Sequence, residues 1–228
     1  MTSAEEPSQA GSYRQHRFPS FAGATELVLI RHGESEAFVE GTSFPLVGGH
    51  GDPELSPEGQ EQAKRLAERL ATAAIGAIYV TNLRRTAQTA APLAARLGLT
   101  PRVEADLREV YLGEWEGGLY RKMAAESHPL VLRAWAEERW DIIPGAEPAA
   151  EFAARIAAGV RRIVHAHPDQ RVAVVSHGGA IGQVLAHASG SRPFAFVTSE
   201  NASISRLLVV GDRWLIRGYN DTAHLESG

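Results

Sequence analysis

The 228 residues contain no cysteine, which excludes disulfides, a thiolate nucleophile and every thiolate metal site at once. Long apolar runs are missing too. No stretch approaches the roughly 18 consecutive apolar residues that a membrane-spanning helix needs, so no membrane association is expected. Met1–Gln15 is largely polar with no apolar run, unlike the apolar centre of a secretory signal. Nor is there an excess of charge of one sign. Lys and Arg total 23 against 27 Asp and Glu, a formal net charge of −4, so no overall field favours nucleic acid or an anionic lipid surface. These absences together point to a cytoplasmic protein. A local cluster of arginines would still suit a small anionic ligand.

What is present is ordinary for a globular chain: 44% hydrophobic and 22% charged residues. The length predicts one domain with enough chain to bury a substantial core. Residues 1–24 are rich in Ser, Glu, Gln, Gly and Pro without hydrophobic period, which predicts a flexible lead. The domain is expected over 25–220, followed by a short tail at 221–228.

Three apolar runs read as strands buried on both faces: Glu26–Ile30, Ala77–Val80 and Val172–Val175. Ser56-Pro57 pairs a capping residue with a proline suited to the first helical position, and Ala63, Leu66, Ala67 and Leu70 follow at helical spacing. Further helices are expected over about 83–97, 147–167 and 178–188, with two short ones filling 119–139. Val103 and the segment Leu107–Leu112 read as extended. Ile204–Val210 and Trp214–Gly218 flank Gly211-Asp212, a two-residue hairpin turn. Strands alternating with helices predict an α/β fold, a three-layer α/β/α sandwich on a mostly parallel central sheet.

In such sheets ligands bind beyond the carboxyl ends of the strands. All three apolar runs end in residues able to do chemistry: Arg31-His32-Gly33, then Thr81-Asn82 with Arg84 and Arg85, then Ser176-His177-Gly178. Two histidines and one or two arginines on one rim suit a phosphoryl group. Guanidinium matches phosphate oxygens and stays charged, and neutral imidazole is a competent nucleophile toward phosphorus. A leaving alkoxide then requires a proton donor on its own side.

Five segments in order sharpen this reading. Leu29-Ile30-Arg31-His32-Gly33-Glu34-Ser35 resembles the opening motif of the histidine phosphatase superfamily, also called phosphoglycerate-mutase-like. Leu55–Gln60 with Gln62-Ala63, Thr81–Ala90, Leu107-Arg108-Glu109 with Gly113, Trp115, Glu116 and Gly117, and Val174–Gly179 resemble its later motifs. The resemblance spans about Leu27 to Leu208 and implies a phosphoglycerate-mutase-like fold. It implies His32 as the phosphorylated nucleophile and Glu109 as the proton donor. Arg31, Arg85, His177 and Gly178 would bind phosphate, with no metal and no cofactor. Among the acids, Glu114 and Glu116 lie close enough in sequence to compete with Glu109. The implied activity is hydrolysis of a small phosphorylated metabolite. A phosphomutase using the same phosphohistidine is the alternative, and a non-catalytic phospho-ligand binding module is a third reading.

The chain departs from the family pattern in places. Phe38 stands where the mutase branch usually has Asn, Thr81-Asn82 where Ser-Pro is common, and Thr86 where Ala is usual. The stretch Gly117–Pro144 offers Arg121, Lys122, Arg133 and Arg139, offset by Glu126, Glu137, Glu138 and Asp141, and lacks the basic insertion of the mutases. Trp135 and Trp140 read as packing residues. The glycine-rich stretch 48–52 reads as a flexible rim loop, from which His50 reaches substrate only if the loop folds over. A homodimer is left open.

Overall fold

The computed structural model describes residues 21–226, so most of the expected N-terminal lead lies outside the described residues. In chain order the elements are β1 (Thr25–Arg31), β2 (Leu46–Val47), β3 (His50–Gly51), α1 (Pro57–Leu70), β4 (Ile75–Val80), α2 (Arg84–Leu97), β5 (Arg102–Val103), α3 (Leu119–Ala125), α4 (Pro129–Glu137), α5 (Ala149–Ala166), β6 (Arg171–Ser176), α6 (Gly178–Ser189), β7 (Ile204–Val210) and β8 (Arg213–Asp221). Helix α1 starts where the cap predicts: Ser56 Oγ accepts from Gly59 N–H at 3.1 Å, with Pro57 in the first turn.

One six-stranded sheet runs β5-β4-β6-β1-β7-β8. The first four strands are parallel, while β7 is antiparallel to β1 and β8 antiparallel to β7. Alternation along each strand divides the core in two. Leu27, Leu29, Val172 and Val174 face α5 and α6 through Ile156, Val160, Ile181 and Leu185. Val28, Ile30, Ala173 and Val175 face α1 and α2 through Leu66, Ala67, Ala90 and Leu93. This is the expected α/β/α sandwich. A smaller cluster of Trp115, Val131 and Ile143 lies under α3 and α4, which form a cap over one end of the sheet.

The segment 107–112 differs from expectation. Only Arg102–Val103 pairs as a strand there, and Ala105–Leu107 forms a single 3-10 turn. The carbonyls of Asp106, Arg108 and Glu109 are taken by the guanidinium of Arg155 at 2.7, 2.9 and 2.8 Å instead of by a neighbouring strand. Arg155 also makes an ion pair with Glu147 (2.6 Å). A side chain from α5 therefore does for this segment what a sheet neighbour would have done.

Candidate active site

Parallel β1, β4 and β6 end on the same rim, which brings His32, Thr81 and His177 together although they lie up to 145 positions apart in sequence. The imidazoles of His32 and His177 sit edge to face, centroids 5.1 Å apart. His32 lines a cavity of about 430 Å3 that also presents Arg31, Arg85, Glu109, Gly178 and Gly179, while His177 beside it is fully buried.

His32 is buried, and its Nδ1 lies 2.7 Å from the Gly33 carbonyl. A carbonyl can only accept, so Nδ1 carries the proton and the lone pair of the neutral ring is on Nε2. The Nε–H of Arg85 donates to that Nε2 at 3.2 Å. Burial, then the Arg85 and Arg31 charges, hold the His32 pKa well below its ordinary value, so the ring is neutral near pH 7. Its backbone is fixed on all sides. His32 N–H donates to Ser176 O, Asn201 Nδ2 and Ala202 N–H donate to His32 O, and Gly33 N–H donates to Thr89 Oγ1.

The close approach of α1 to this turn explains the second motif. A Cβ on Gly33 would stand 2.6 Å from Gly59 O, and one on Gly59 would stand 1.9 Å from Glu34 O. Gln62 Oε1 accepts Glu34 N–H at 2.9 Å. The motif residues of α1 thus clamp the His32 turn.

His177 is fully buried, with Nε2 3.0 Å from Thr81 Oγ1, which in turn lies 3.1 Å from Thr86 Oγ1. Burial first, then Arg85 and His32, depress its pKa well below the usual histidine value. Its Nδ1 is buried without a protein partner among the described residues, as is Arg31 Nε. Gly178 opens α6, where a first-turn N–H has no intrahelical acceptor and the helix dipole favours an anion. Arg31 is anchored by a bond from its Nη1 to Ser199 O. Desolvation lowers the Arg85 pKa to about 10, which leaves it cationic. Arg84, its neighbour in sequence, points outward to Asp52 and Glu54 at 2.9 and 2.8 Å.

The Glu109 carboxylate accepts N–H groups from Val110, Gly179 and Ala180 at 2.9–3.1 Å, capping the start of α6. A Cβ on Gly179 would come within 2.5 Å of Glu109 Oε1, so the second glycine after His177 leaves room for this acid. Glu114 is exposed and absent from the cavity lining. Glu116 also lines the cavity, its oxygens holding Gly51 N–H and Leu112 N–H at 2.7 and 2.9 Å, as those of Glu109 hold three backbone N–H groups. Among the described residues, no group of three His, Asp or Glu side chains is arranged to hold a metal ion.

The geometry suits a phosphoryl group, and comparison with known proteins gives the chain a family. The family described as Histidine phosphatase superfamily (branch 1) matches residues 27–222. The chain belongs to this superfamily. Its relatives include Phosphoglycerate mutase-like protein 4 of Arabidopsis thaliana, 34% identical over 206 residues (88% of this chain, 87% of the relative). The Metal-independent phosphoserine phosphatase of the same plant is 30% identical over 207 residues, 89% of this chain and 84% of the relative. The solved complex of mycobacterial glucosyl-3-phosphoglycerate phosphatase with inorganic phosphate superposes with a TM-score of 0.70 at 29% identity, covering 88% of this chain and 99% of that one.

In this histidine phosphatase the structure adds Asn201, which sequence reading passed over, and places several residues that it had named at the cavity. Asn201 lies just before β7; because β7 runs antiparallel to β1, its beginning reaches the rim, and a search of strand carboxyl ends misses it. His50 is on the β2–β3 hairpin, 4% exposed, lining the cavity and packed on Tyr111, so the glycine-rich stretch is folded over the site. Trp135 and Trp140, read as packing residues, line the cavity together with Phe44, Trp115 and Tyr120. Arg121 on α3 faces the same space. Phe38 packs on Phe44 and against Gly118, closing the loop onto the cap. Among the described residues, no helix is long and apolar enough to cross a membrane.

Proposed function

We propose that this chain is a phosphatase that hydrolyses a small phosphomonoester through a phosphohistidine on His32. The observation that carries the proposal is the His32 tautomer. Its Nδ1–H is committed to Gly33 O, which leaves an Nε2 lone pair on a neutral ring beside two buried guanidinium groups. The phosphoryl oxygens would lie among Arg31, Arg85, the free Nδ1 edge of His177 and the Gly178 N–H. There the negative charge that develops in the transition state meets preorganised donors.

His32 Nε2 attacks phosphorus as the ester P–O bond breaks, and Glu109 gives its proton to the departing oxygen. In the second half-reaction water attacks the phosphohistidine. Glu109 takes a proton from that water, the P–N bond breaks, and inorganic phosphate leaves with His32 neutral again.

Hydrolysis is favoured over mutase chemistry by the cap. Returning a phosphoryl group to a second hydroxyl requires binding a bisphosphorylated species. Of the four basic residues counted between 117 and 144, only Arg121 lines the large cavity. Lys122, Arg133 and Arg139 are ion-paired with Glu40, Glu137 and Asp141.

The test is acid-quench trapping with labelled p-nitrophenyl phosphate, together with assays of phosphate release and of 3-phosphoglycerate isomerisation in the presence of a bisphosphorylated primer. An acid-labile phosphoenzyme, lost in His32→Ala, with phosphate release exceeding isomerisation, is the expected result. Efficient isomerisation would establish the mutase, and absence of both trapping and turnover would establish a binding module.

A further inference from the structure

Thr86 stands where the family pattern has Ala, and its hydroxyl is buried behind His177. His177 Nε2 lies 3.0 Å from Thr81 Oγ1, which lies 3.1 Å from Thr86 Oγ1. Thr81 Oγ1 also accepts Leu83 N–H at 3.3 Å. Thr86 Oγ1 accepts Thr81 N–H at 3.1 Å, and its own proton reaches Leu83 O at 2.8 Å or Thr81 O at 3.3 Å. None of the three residues is more than 2% exposed, so their protons are shared within this row of atoms.

Each hydroxyl carries one proton, and the row can be filled in two directions. In the first, Thr86 donates to Thr81 and Thr81 donates to His177 Nε2, so a neutral ring carries its proton on Nδ1. In the second, His177 Nε2–H donates to Thr81, Thr81 to Thr86, and Thr86 to Leu83 O. Leu83 O keeps a donor either way, because Thr86 N–H also reaches it at 3.1 Å. Alanine at position 86 would strand the Thr81 proton in the second direction. Among the described residues Thr81 Oγ1 has no acceptor besides His177 Nε2 and Thr86 Oγ1, and a buried hydroxyl proton without an acceptor costs free energy.

Only the second direction suits a ring protonated on both nitrogens. Without an anion that form is disfavoured by burial first, then by Arg85 on α2, His32 and Arg31 at the end of β1 and His50 on β3. The acid at this end of α6 is Glu109, which holds Gly179 and Ala180 N–H. A phosphoryl dianion reverses the sign of the field. Nδ1, buried without a protein partner, is the position left for the added proton.

We infer that Thr86 is a positioning residue for phosphoryl binding: by accepting the Thr81 proton, it lets His177 hold the anion as an imidazolium. Nε2–H then donates to Thr81 and Nδ1–H to a phosphoryl oxygen. The added proton arrives with the anion, from the phosphomonoester monoanion or from the medium. This rests on the phosphoryl site proposed above and specifies its charge state.

Spectra of the 15N-histidine-labelled protein read the protonation of each ring nitrogen, the His177 signals being those absent from His177→Asn. Tungstate, a dianion near neutral pH, probes the site without turnover. Native His177 should pass from neutral to doubly protonated when tungstate binds. In Thr86→Val it should stay neutral with its proton on Nδ1, while Thr86→Ser, which keeps the hydroxyl, should follow the native protein. Thr86→Ala reads the same outcome should the valine variant not fold. With p-nitrophenyl phosphate, whose departure needs little from Glu109, the alkaline limb of kcat should move down by about one pH unit in Thr86→Val, the scale of one charge-assisted hydrogen bond. It should stay in place in Thr86→Ser. A native His177 that remains neutral while the His32 signals shift would overturn the inference and leave the phosphoryl site standing. Tungstate without effect on either ring would overturn both. Identical behaviour of His177 in the native protein and in Thr86→Val would overturn the role of Thr86.

Discussion

The Nε–H of Arg85 donates to Nε2 of His32 across 3.2 Å, so the nitrogen with the free lone pair already faces the cation that a phosphoryl group would share. Thr89 ties the two residues together, accepting from Gly33 N–H at 3.0 Å and donating to Arg85 O at 2.7 Å. Arg85→Lys keeps a charge but not the fork, because an ammonium on a flexible stem cannot hold Gly51 O and a phosphoryl oxygen together. We expect kcat/KM for p-nitrophenyl phosphate to fall about ten- to hundredfold, the scale of one or two charged hydrogen bonds, with little change in melting temperature. Steady-state kinetics beside a thermal melt checks this.

Glu109→Gln should separate substrates by leaving group. Esters of simple alcohols need protonation of the departing oxygen, and the loss there should reach about 10²-fold or more. p-Nitrophenyl phosphate needs little, and its loss should be smaller by at least about tenfold. Uniform losses would leave Glu109 only its structural role at the start of α6.

Stability should depend on pH through the two buried histidines. Both have folded-state pKa values depressed below the ordinary value of 6.5, so below about pH 6.5 the unfolded chain binds protons that the folded one refuses. Their neutral burial therefore carries no pH penalty above pH 6.5. Stability falls as pH drops below it, and the loss levels off beneath the folded-state values. Each histidine contributes a slope of up to about 1.4 kcal/mol per pH unit. Urea unfolding between pH 5 and 8 should show the decline, and His177→Phe should flatten it.

Gly59→Ala should damage fold and site together. The added methyl meets the Glu34 carbonyl at 1.9 Å, a backbone atom with nowhere to move except along the His32 turn. Overpacking of this kind costs about 1–3 kcal/mol, and the displaced turn should lower kcat as well. Unfolding midpoints and turnover numbers from one preparation would read both. A neutral outcome on either measure would contradict the clamp.

Arg155→Met should loosen the segment that carries Glu109. It removes three bonds to the carbonyls of residues 106, 108 and 109 and strands the half-buried Glu147 carboxylate. Breaking one side of such a pair costs about 3–5 kcal/mol when it is fully buried, and somewhat less with this degree of exposure. Hydrogen exchange at 106–111 should rise ahead of global unfolding.

The sequence by itself determined the parts whose causes are local. Apolar runs made β1, β4 and β6, Ser56-Pro57 started α1, and Arg31-His32-Gly33 and Ser176-His177-Gly178 followed strand ends in a parallel α/β order that puts them on one rim. Tertiary structure decided what depends on neighbours distant in sequence. The antiparallel β7 delivers Asn201 to the His32 carbonyl, and Arg155 holds a stretch that reads as extended as a support for Glu109 outside the sheet. The cap brings Arg121, Trp135 and Trp140 over the site. Their residue types look like any helical surface until the chain folds back. Exposure and counter-ions are properties of packing, and no local pattern encodes them.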